Sequence, residues 1–243
     1  MGKFEHDFEI GFREVGKSNC LTNKGFLSYL EDAGGMHSNI AGYGLNDIEQ
    51  TNLTWVVLYW KIRVFSRPTY GEKVHIKTWG RNSVKFYTYR DFELYNSSNT
   101  LIGIATSKWI LLNFKNMEIE KLTNEIMDKY QPEDKKVFLS EPEINKIIIP
   151  KEYSFIYTYT VQRKDIDINN HMHNSSYLDL AYEVLPDDVY TNMDFHNFEI
   201  MYKKEIKLYD TIKCFYSFDD NFHYITIKSE DEKILHGIIK FSL

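Results

Sequence analysis

Short runs rich in aromatic and β-branched residues, broken by polar turns, occupy most of the chain, which is the pattern of half-buried strands. They fall into two sets. In the first, a strand-like run at 8–15 leads to Thr22, a predicted N-cap for a helix through about Ala41. Four β-rich runs follow at 54–65, 73–79, 85–95 and 101–114, with Asn96-Ser97-Ser98-Asn99 as the turn before the last. In the second set a strand at 153–162 precedes a helix from about Asn174 to Val184, and strands follow at 198–207, 211–218, 222–228 and 234–242. Strand, helix and four strands, twice over, predict an internal duplication. A local echo supports it: Ser28-Tyr29-Leu30-Glu31-Asp32-Ala33 and Ser176-Tyr177-Leu178-Asp179-Leu180-Ala181 agree at four of six positions. Two amphipathic helices could match this well by chance, so the shared place in the repeated order carries the weight.

Between the sets, residues 131–151 hold three of the five prolines and many charges, the composition of a linker. The expected organisation is α+β: a first domain at 1–135, a linker at 136–150 and a second domain at 151–243. An antiparallel sheet with one early helix must bury that helix's apolar surface, and a curved sheet wrapped around it is one solution. Phe26, Leu27, Leu30, Ala33, Gly34, Met36 and Ile40 spread apolar and small residues round the first helix. Gly34 and Gly35 would allow close backbone approach, at a cost in helix propensity. A hydrophobic tunnel beside such a helix would suit a linear apolar ligand.

Composition narrows the class. Apolar residues make up 43% and charged residues 26%, as in a folded globular chain. Aromatics reach 16%, a composition suited to strands and apolar ligand sites. A net charge of −6 argues against nucleic acid as a partner, which needs a basic excess. Two cysteines, Cys20 and Cys214, exclude a disulfide framework and a four-cysteine zinc site. No apolar run approaches the ~18 residues of a membrane span, and the first residues lack the apolar region of a signal peptide. The expected compartment is the cytoplasm.

The densest polar cluster is Asp165-Ile166-Asp167-Ile168-Asn169-Asn170-His171-Met172-His173-Asn174. In an extended segment Asp167, Asn169 and His171 would share a face. Asn174, as a helix N-cap, would direct free N–H groups to the same place. A carboxylate, an amide and an imidazole beside a helix start could bind a carbonyl and stabilise an oxyanion. A transition-metal site of Asp167, His171 and His173 is a second reading, and a plain capped turn a third. A calcium loop fails, since Asn170 and Ser176 stand where glycine and glutamate are needed.

The segment DIDINNHMHNSSYLDL resembles the Asp-x-Asn-x-His-Val-Asn-Asn element and Tyr-containing helix of the acyl-ACP thioesterases of plants and bacteria. Trp55, the run from Arg67 through Glu72, Thr78-Trp79, Arg90-Asp91 and Ala105 to Trp109 are similar to further elements of that family, in order. The resemblance implies a tandem hotdog fold: two curved antiparallel sheets, each wrapped around a long helix. It implies hydrolysis of fatty acyl-ACP thioesters, with acyl carrier protein as partner and no cofactor or metal. Asp167, Asn169 and His171 match the family's catalytic residues, and Asn174 its second asparagine, a substrate contact. His173 stands where the family usually has the first. Tyr202-Lys203-Lys204-Glu205-Ile206 is similar to the family's Tyr-Arg-Arg-Glu-Cys strand, so Glu205 inherits a general-base role, while Ile206 replaces the cysteine once proposed as nucleophile. Gly34, Gly35 and Trp55 become expected tunnel walls in the first half, and Lys203 and Lys204 expected contacts to the carrier. For Glu205 and the lysines a solvated strand face is the plain alternative. An acyl-CoA thioesterase and a non-hydrolytic acyl-binding module stay open as competitors, as does a homodimer.

Overall fold

A computed structural model describes residues 2–140, 144 and 147–243. The chain divides into two units, Met1–Glu143 and Ile144–Leu243. Of the expected linker at 136–150, residues 141–143 and 145–146 lie outside the described residues.

The first unit runs β1 (Lys3–Glu9), α1 (Asn23–Ala41), a 3-10 turn, α2 (Ile48–Thr51), β2 (Leu53–Val64), β3 (Lys73–Gly80), β4 (Tyr87–Asn96), β5 (Leu101–Asn113), β6 (Glu118–Glu120) and α3 (Asn124–Tyr130). Its strands pair antiparallel in the order β1-β3-β4-β5-β2, with β6 on β5. The four later strands lie within two residues of their predicted bounds. The first does not: it spans 3–9 and not 8–15, and the chain turns where Glu14 N donates to Gly11 O at 3.3 Å. Five of the seven β1 residues are ionisable, which disguises a strand whose Phe4 is buried.

Helix α1 begins as its sequence predicts. Thr22 Oγ1 accepts from Gly25 N at 3.0 Å, capping one of the orphan N–H groups of the first turn. It ends where Gly42 adopts φ 79° and its N–H turns back to Asn39 O at 3.2 Å, a left-handed cap that favours glycine. Phe26, Leu27, Leu30, Ala33 and Gly34 are buried, followed along the same stripe by His37, Ser38 and Ala41. Met36 and Ile40, expected inside, are exposed; they sit on the next stripe round the helix, which the sheet does not cover. The stretch at 124–130 went unpredicted, although Thr123 caps it and Ile126, Met127 and Tyr130 are buried.

The second unit runs β7 (Phe155–Thr160), a 3-10 turn, α4 (Ser176–Glu183), α5 (Asp187–Asn192), β8 (Asn197–Tyr202), β9 (Thr211–Asp219), β10 (Phe222–Ser229) and β11 (Leu235–Ser242). Its order is β7-β9-β10-β11-β8, the same permutation as the first unit. The expected long helix at 174–184 is shorter, because residues up to Ser175 are spent in turns and Pro186 follows its end. The strand expected at 198–207 stops at Tyr202. Tyr177 of α4 lies flat on β11: a Cβ added at Gly237 would stand 2.9 Å from Tyr177 Cε1. Among the described residues, no helix is long and apolar enough to cross a membrane.

Two opposite substitutions test α1. Thr22→Ala should lower the unfolding free energy by about 1 kcal/mol through the lost cap. Gly35→Ala should raise it by ~0.5–1 kcal/mol, because Gly35 is exposed and a Cβ there meets nothing within 4 Å. Urea melts of both variants provide the check.

Candidate active site

The polar cluster of the second unit is a tight turn, not the extended segment that its alternation predicts. Ile166 bridges antiparallel to Met172, and Asp167 N donates to His171 O at 2.8 Å. The Asp167 carboxylate closes the turn from inside. Its Oδ1 accepts from Asn169 N at 2.8 Å and from His171 N at 3.1 Å. Asn170 takes φ 60°, a left-handed conformation that asparagine tolerates. Local capture of backbone N–H groups by an Asp side chain therefore defeats the period-two rule. It still gathers Asp167, Asn169 and His171, all half-buried. Asn169 Nδ2 lies 3.5 Å from Asp167 Oδ2, an orientation that turns Asn169 Oδ1 away from the carboxylate as an acceptor.

Glu205 lies on an irregular segment and not on a strand. Lys203 N and Lys204 N both donate to His236 O, at 2.8 and 3.3 Å, and His236 Nδ1 lies 3.1 Å from Lys204 O. This buried histidine clamps a bend that leaves the Lys203, Lys204 and Glu205 side chains exposed. The segment then runs beside the turn: Met172 N donates to Ile206 O at 2.8 Å, and His171 bridges to Lys207. The backbone that carries Glu205 is thus tied to the backbone that carries His171.

The start of α4 differs from expectation. Asn174 is not its N-cap; Ser175 is, without a side-chain capping bond. Ser176 N, Tyr177 N and Leu178 N donate to the carbonyls of His173, Asn174 and Ser175 at 3.0, 3.3 and 3.1 Å, so the first-turn N–H groups are consumed internally. Just before them, the N–H groups of Asn174 and Ser175 donate to no acceptor among the described residues. Tyr202 Oη donates to Asn174 O at 3.1 Å and its ring meets Tyr177 edge-on at 5.0 Å. Burial pushes the Tyr177 hydroxyl pKa up, and the charges of Glu205 and Cys214 add to the shift. His173 is exposed, and among the described residues no three His, Cys, Asp or Glu side chains converge as metal ligands.

In the first unit Gly34 and Gly35 part company. Arg90 Cδ lies 3.5 Å from where a Gly34 Cβ would stand, so the space expected for a ligand holds an arginine stem. Gly35 is exposed with nothing within 4 Å, so no close approach occurs there. Arg90 is buried, and its Nη1 reaches His37 Nδ1 at 2.9 Å and Thr78 Oγ1 at 3.3 Å. Burial lowers its pKa to about 10, so it stays charged at neutral pH. His37 must then present Nδ1 as an acceptor. Trp55 is half-buried, donates from Nε1 to Tyr130 Oη at 2.7 Å and meets that ring edge-on at 5.8 Å.

The family model for the acyl-ACP thioesterase N-terminal domain matches residues 2–130, and that for the C-terminal domain matches 149–241. This chain belongs to the acyl-ACP thioesterase family. Among curated relatives, the chloroplastic oleoyl-acyl carrier protein thioesterase 1 of Arabidopsis thaliana is 24% identical over 225 residues, covering 86% of this chain and 62% of the relative. The chain thus spans about three fifths of that relative's length. A solved acyl-ACP thioesterase from Bacteroides thetaiotaomicron superposes with a TM-score of 0.85 at 22% identity, over 99% of this chain and 97% of the other. The 12:0-ACP thioesterase of Umbellularia californica gives 0.87 at 18%, over 99% and 96%. The fold is α+β, the tandem hotdog of this acyl-ACP thioesterase group. Two residues that shape the site were not singled out from the sequence. His236 acts through its carbonyl and ring on a segment some thirty residues earlier, which gives no local signal. Tyr177 stands out only as part of the repeated Ser-Tyr-Leu element.

The family cysteine position holds Ile206, which is buried. The one thiol in the second unit, Cys214, is also buried, and burial pushes its pKa up to about 12 from 9.0. A thiol so protonated is a poor nucleophile. Iodoacetamide should leave Cys214 unlabelled in the native protein and label it after unfolding, as read by peptide mass spectrometry. Because the folded-state pKa is raised, the unfolded thiol ionises first. Its contribution to stability is whole below pH 9.0 and is lost as pH climbs toward about 12. Urea melts against Cys214→Val should show a steeper alkaline loss for the wild type.

Proposed function

We propose that this chain hydrolyses fatty acyl thioesters of acyl carrier protein, releasing the free fatty acid by base-assisted attack of water. Asp167 carries the reading: its carboxylate locks the turn that presents Asn169 and His171, next to the segment bearing Glu205. Water held by Asn169 Oδ1 attacks the thioester carbon while Glu205 accepts its proton. The C–O bond forms and the carbonyl oxygen becomes an oxyanion. The N–H groups of Asn174 and Ser175 are its donors. When the C–S bond breaks, the carrier thiolate leaves and takes up the proton, with His171 as the relay between Glu205 and sulfur. No covalent acyl-enzyme is needed, which agrees with a buried, protonated Cys214.

Lys203 and Lys204 stand exposed on the bend clamped by His236, a basic pair available to an acidic carrier despite the net charge of −6. Within the first unit, Trp55 is the residue this reading retains as a wall for an acyl chain. Gly34 is not carried forward as a wall, since Arg90 covers it. Gly35 is dropped as well, being exposed.

Release of fatty acid from matched acyl-ACP and acyl-CoA thioesters tests the reading, with a higher kcat/KM expected for the carrier esters. Preference for CoA esters would move the assignment to an acyl-CoA thioesterase, and no turnover at any chain length to a binding module. His171→Ala and Glu205→Gln should each lower kcat by at least ~10²-fold with the fold intact. His173→Asn, at an exposed position, should leave kcat near wild type. Equal damage from His173→Asn and His171→Ala would place the relay on the wrong histidine.

A further inference from the structure

In the second unit Lys213, Lys233 and Lys240 each pair with a carboxylate. Arg163, Lys164, Lys203, Lys204 and Lys207 are exposed and, among the described residues, pair with none. These unpaired cations lie on adjoining segments. Val161 N donates to Asp210 O at 3.0 Å and Tyr209 N to Val161 O at 3.1 Å, which sets the 3-10 turn at Arg163–Asp165 beside the turn at 207–210. Arg163 Nε donates to Tyr209 Oη across the two at 3.2 Å. The bridge from His171 to Lys207 and the bond from Met172 N to Ile206 O join the same stretch to the turn that Asp167 closes.

The carboxylates of these segments, Glu205 apart, are turned inward to O–H and N–H donors. Asp165 accepts from Tyr159 Oη and Gln162 N, Asp167 from Asn169 N and His171 N, and Asp210 from Lys207 N at 2.8 Å. The outer layer is therefore cationic on a chain whose net charge is −6. Large apolar side chains stand within it: Ile168 is 67% exposed and Tyr209 62%. A single exposed isoleucine is ordinary. Apolar residues framed by unpaired cations have the make-up of an interface centre and its charged rim.

We propose that this surface docks the acyl carrier protein, with Ile168 and Tyr209 as apolar anchors and the cations as the rim that meets its acidic side chains. The identity of the partner rests on the hydrolytic reading. A thioester held on a tethered arm must enter where its carrier sits, and this surface adjoins Asn169, His171 and Glu205. Ile168 lies between Asp167 and Asn169 in the turn itself, so docking bears on the backbone that holds the amide and the imidazole. The cations speed encounter with an acidic partner, and the apolar contacts slow its departure.

Fluorescence anisotropy of dye-labelled holo-acyl carrier protein, titrated with this chain, reads the docking directly. Ile168→Ser and the charge reversal Arg163→Glu with Lys164→Glu should each raise Kd about tenfold. The effect of the reversal should shrink as salt rises, and that of Ile168→Ser should persist. Turnover gives a second measure, with the acyl-N-acetylcysteamine thioester as a substrate that has neither carrier nor phosphate. The ratio of kcat/KM for the carrier ester to that for this small ester should fall about tenfold in both variants. Equal loss on both esters, with ratio and Kd at wild-type values, would overturn the docking, as would a carrier that does not bind. A wild type that hydrolyses neither ester sinks the hydrolytic reading instead, and the titration still decides the docking.

Discussion

An antiparallel sheet with one face kept from water needs something to cover it, and both units insert a helix after the first strand to do so. The two helices are not equal. α1 has 19 residues, a side-chain cap and a left-handed glycine at its end. α4 has eight and no side-chain cap. The connection before each helix is of similar length, residues 10–22 in the first unit and 161–175 in the second. In the second unit that connection holds the turn that Asp167 closes, and it presents an amide and an imidazole on a locked backbone. The candidate site thus lies in the connection from first strand to helix.

What replaces a cap there is a set of backbone bonds. Three N–H groups at the start of α4 are satisfied by carbonyls three residues back, and the two N–H groups just before them take no part in that set. Asp165 supports the same region from below. Its Oδ2 accepts from Tyr159 Oη at 2.7 Å and from Gln162 N at 2.8 Å, and its carbonyl accepts from His173 N at 2.8 Å. One aspartate anchors the turn to the sheet and the next, two residues on, closes it. Such local bonds cost little entropy, because the groups they join are already neighbours in the chain.

Buried charge marks the first unit more than the second. Arg90 is held by a neutral histidine and a threonine, while Arg81 and Asp91 lie 3.3 Å apart with side chains 6% and 1% exposed. Pairs of this kind seldom add net stability, since desolvation offsets the attraction. Their geometric effect is plainer: the Arg90 stem crosses α1 at Gly34 and sets how closely helix and sheet approach. The glycine that looked like room for a ligand is room for an arginine.

The repeated order of strand, helix and four strands was legible in the sequence, because each later strand shows a run of β-branched and aromatic residues and Thr22 is an unmistakable cap. The cluster that holds Asp167, Asn169 and His171 was legible as the densest polar segment, whereas Glu205 drew notice only through the family resemblance; the buried state of Cys214 followed from its apolar neighbours. β1 was misplaced because its charges mask its alternation. Met36 and Ile40 were misassigned because helical periodicity defines stripes without saying which stripe the sheet covers. The turn at 167–171 could not be read from alternation, since a side-chain oxygen competing for backbone N–H groups leaves the same residue pattern as a strand. The clamp on the 203–205 bend uses the carbonyl and ring of His236, which lies on β11, a strand that follows in sequence but neighbours β8 in space. Local sequence decides which residues can form strands, caps and a catalytic set. Which of their polar groups remain free for a ligand depends on partners brought in from distant segments, and only the folded chain supplies those.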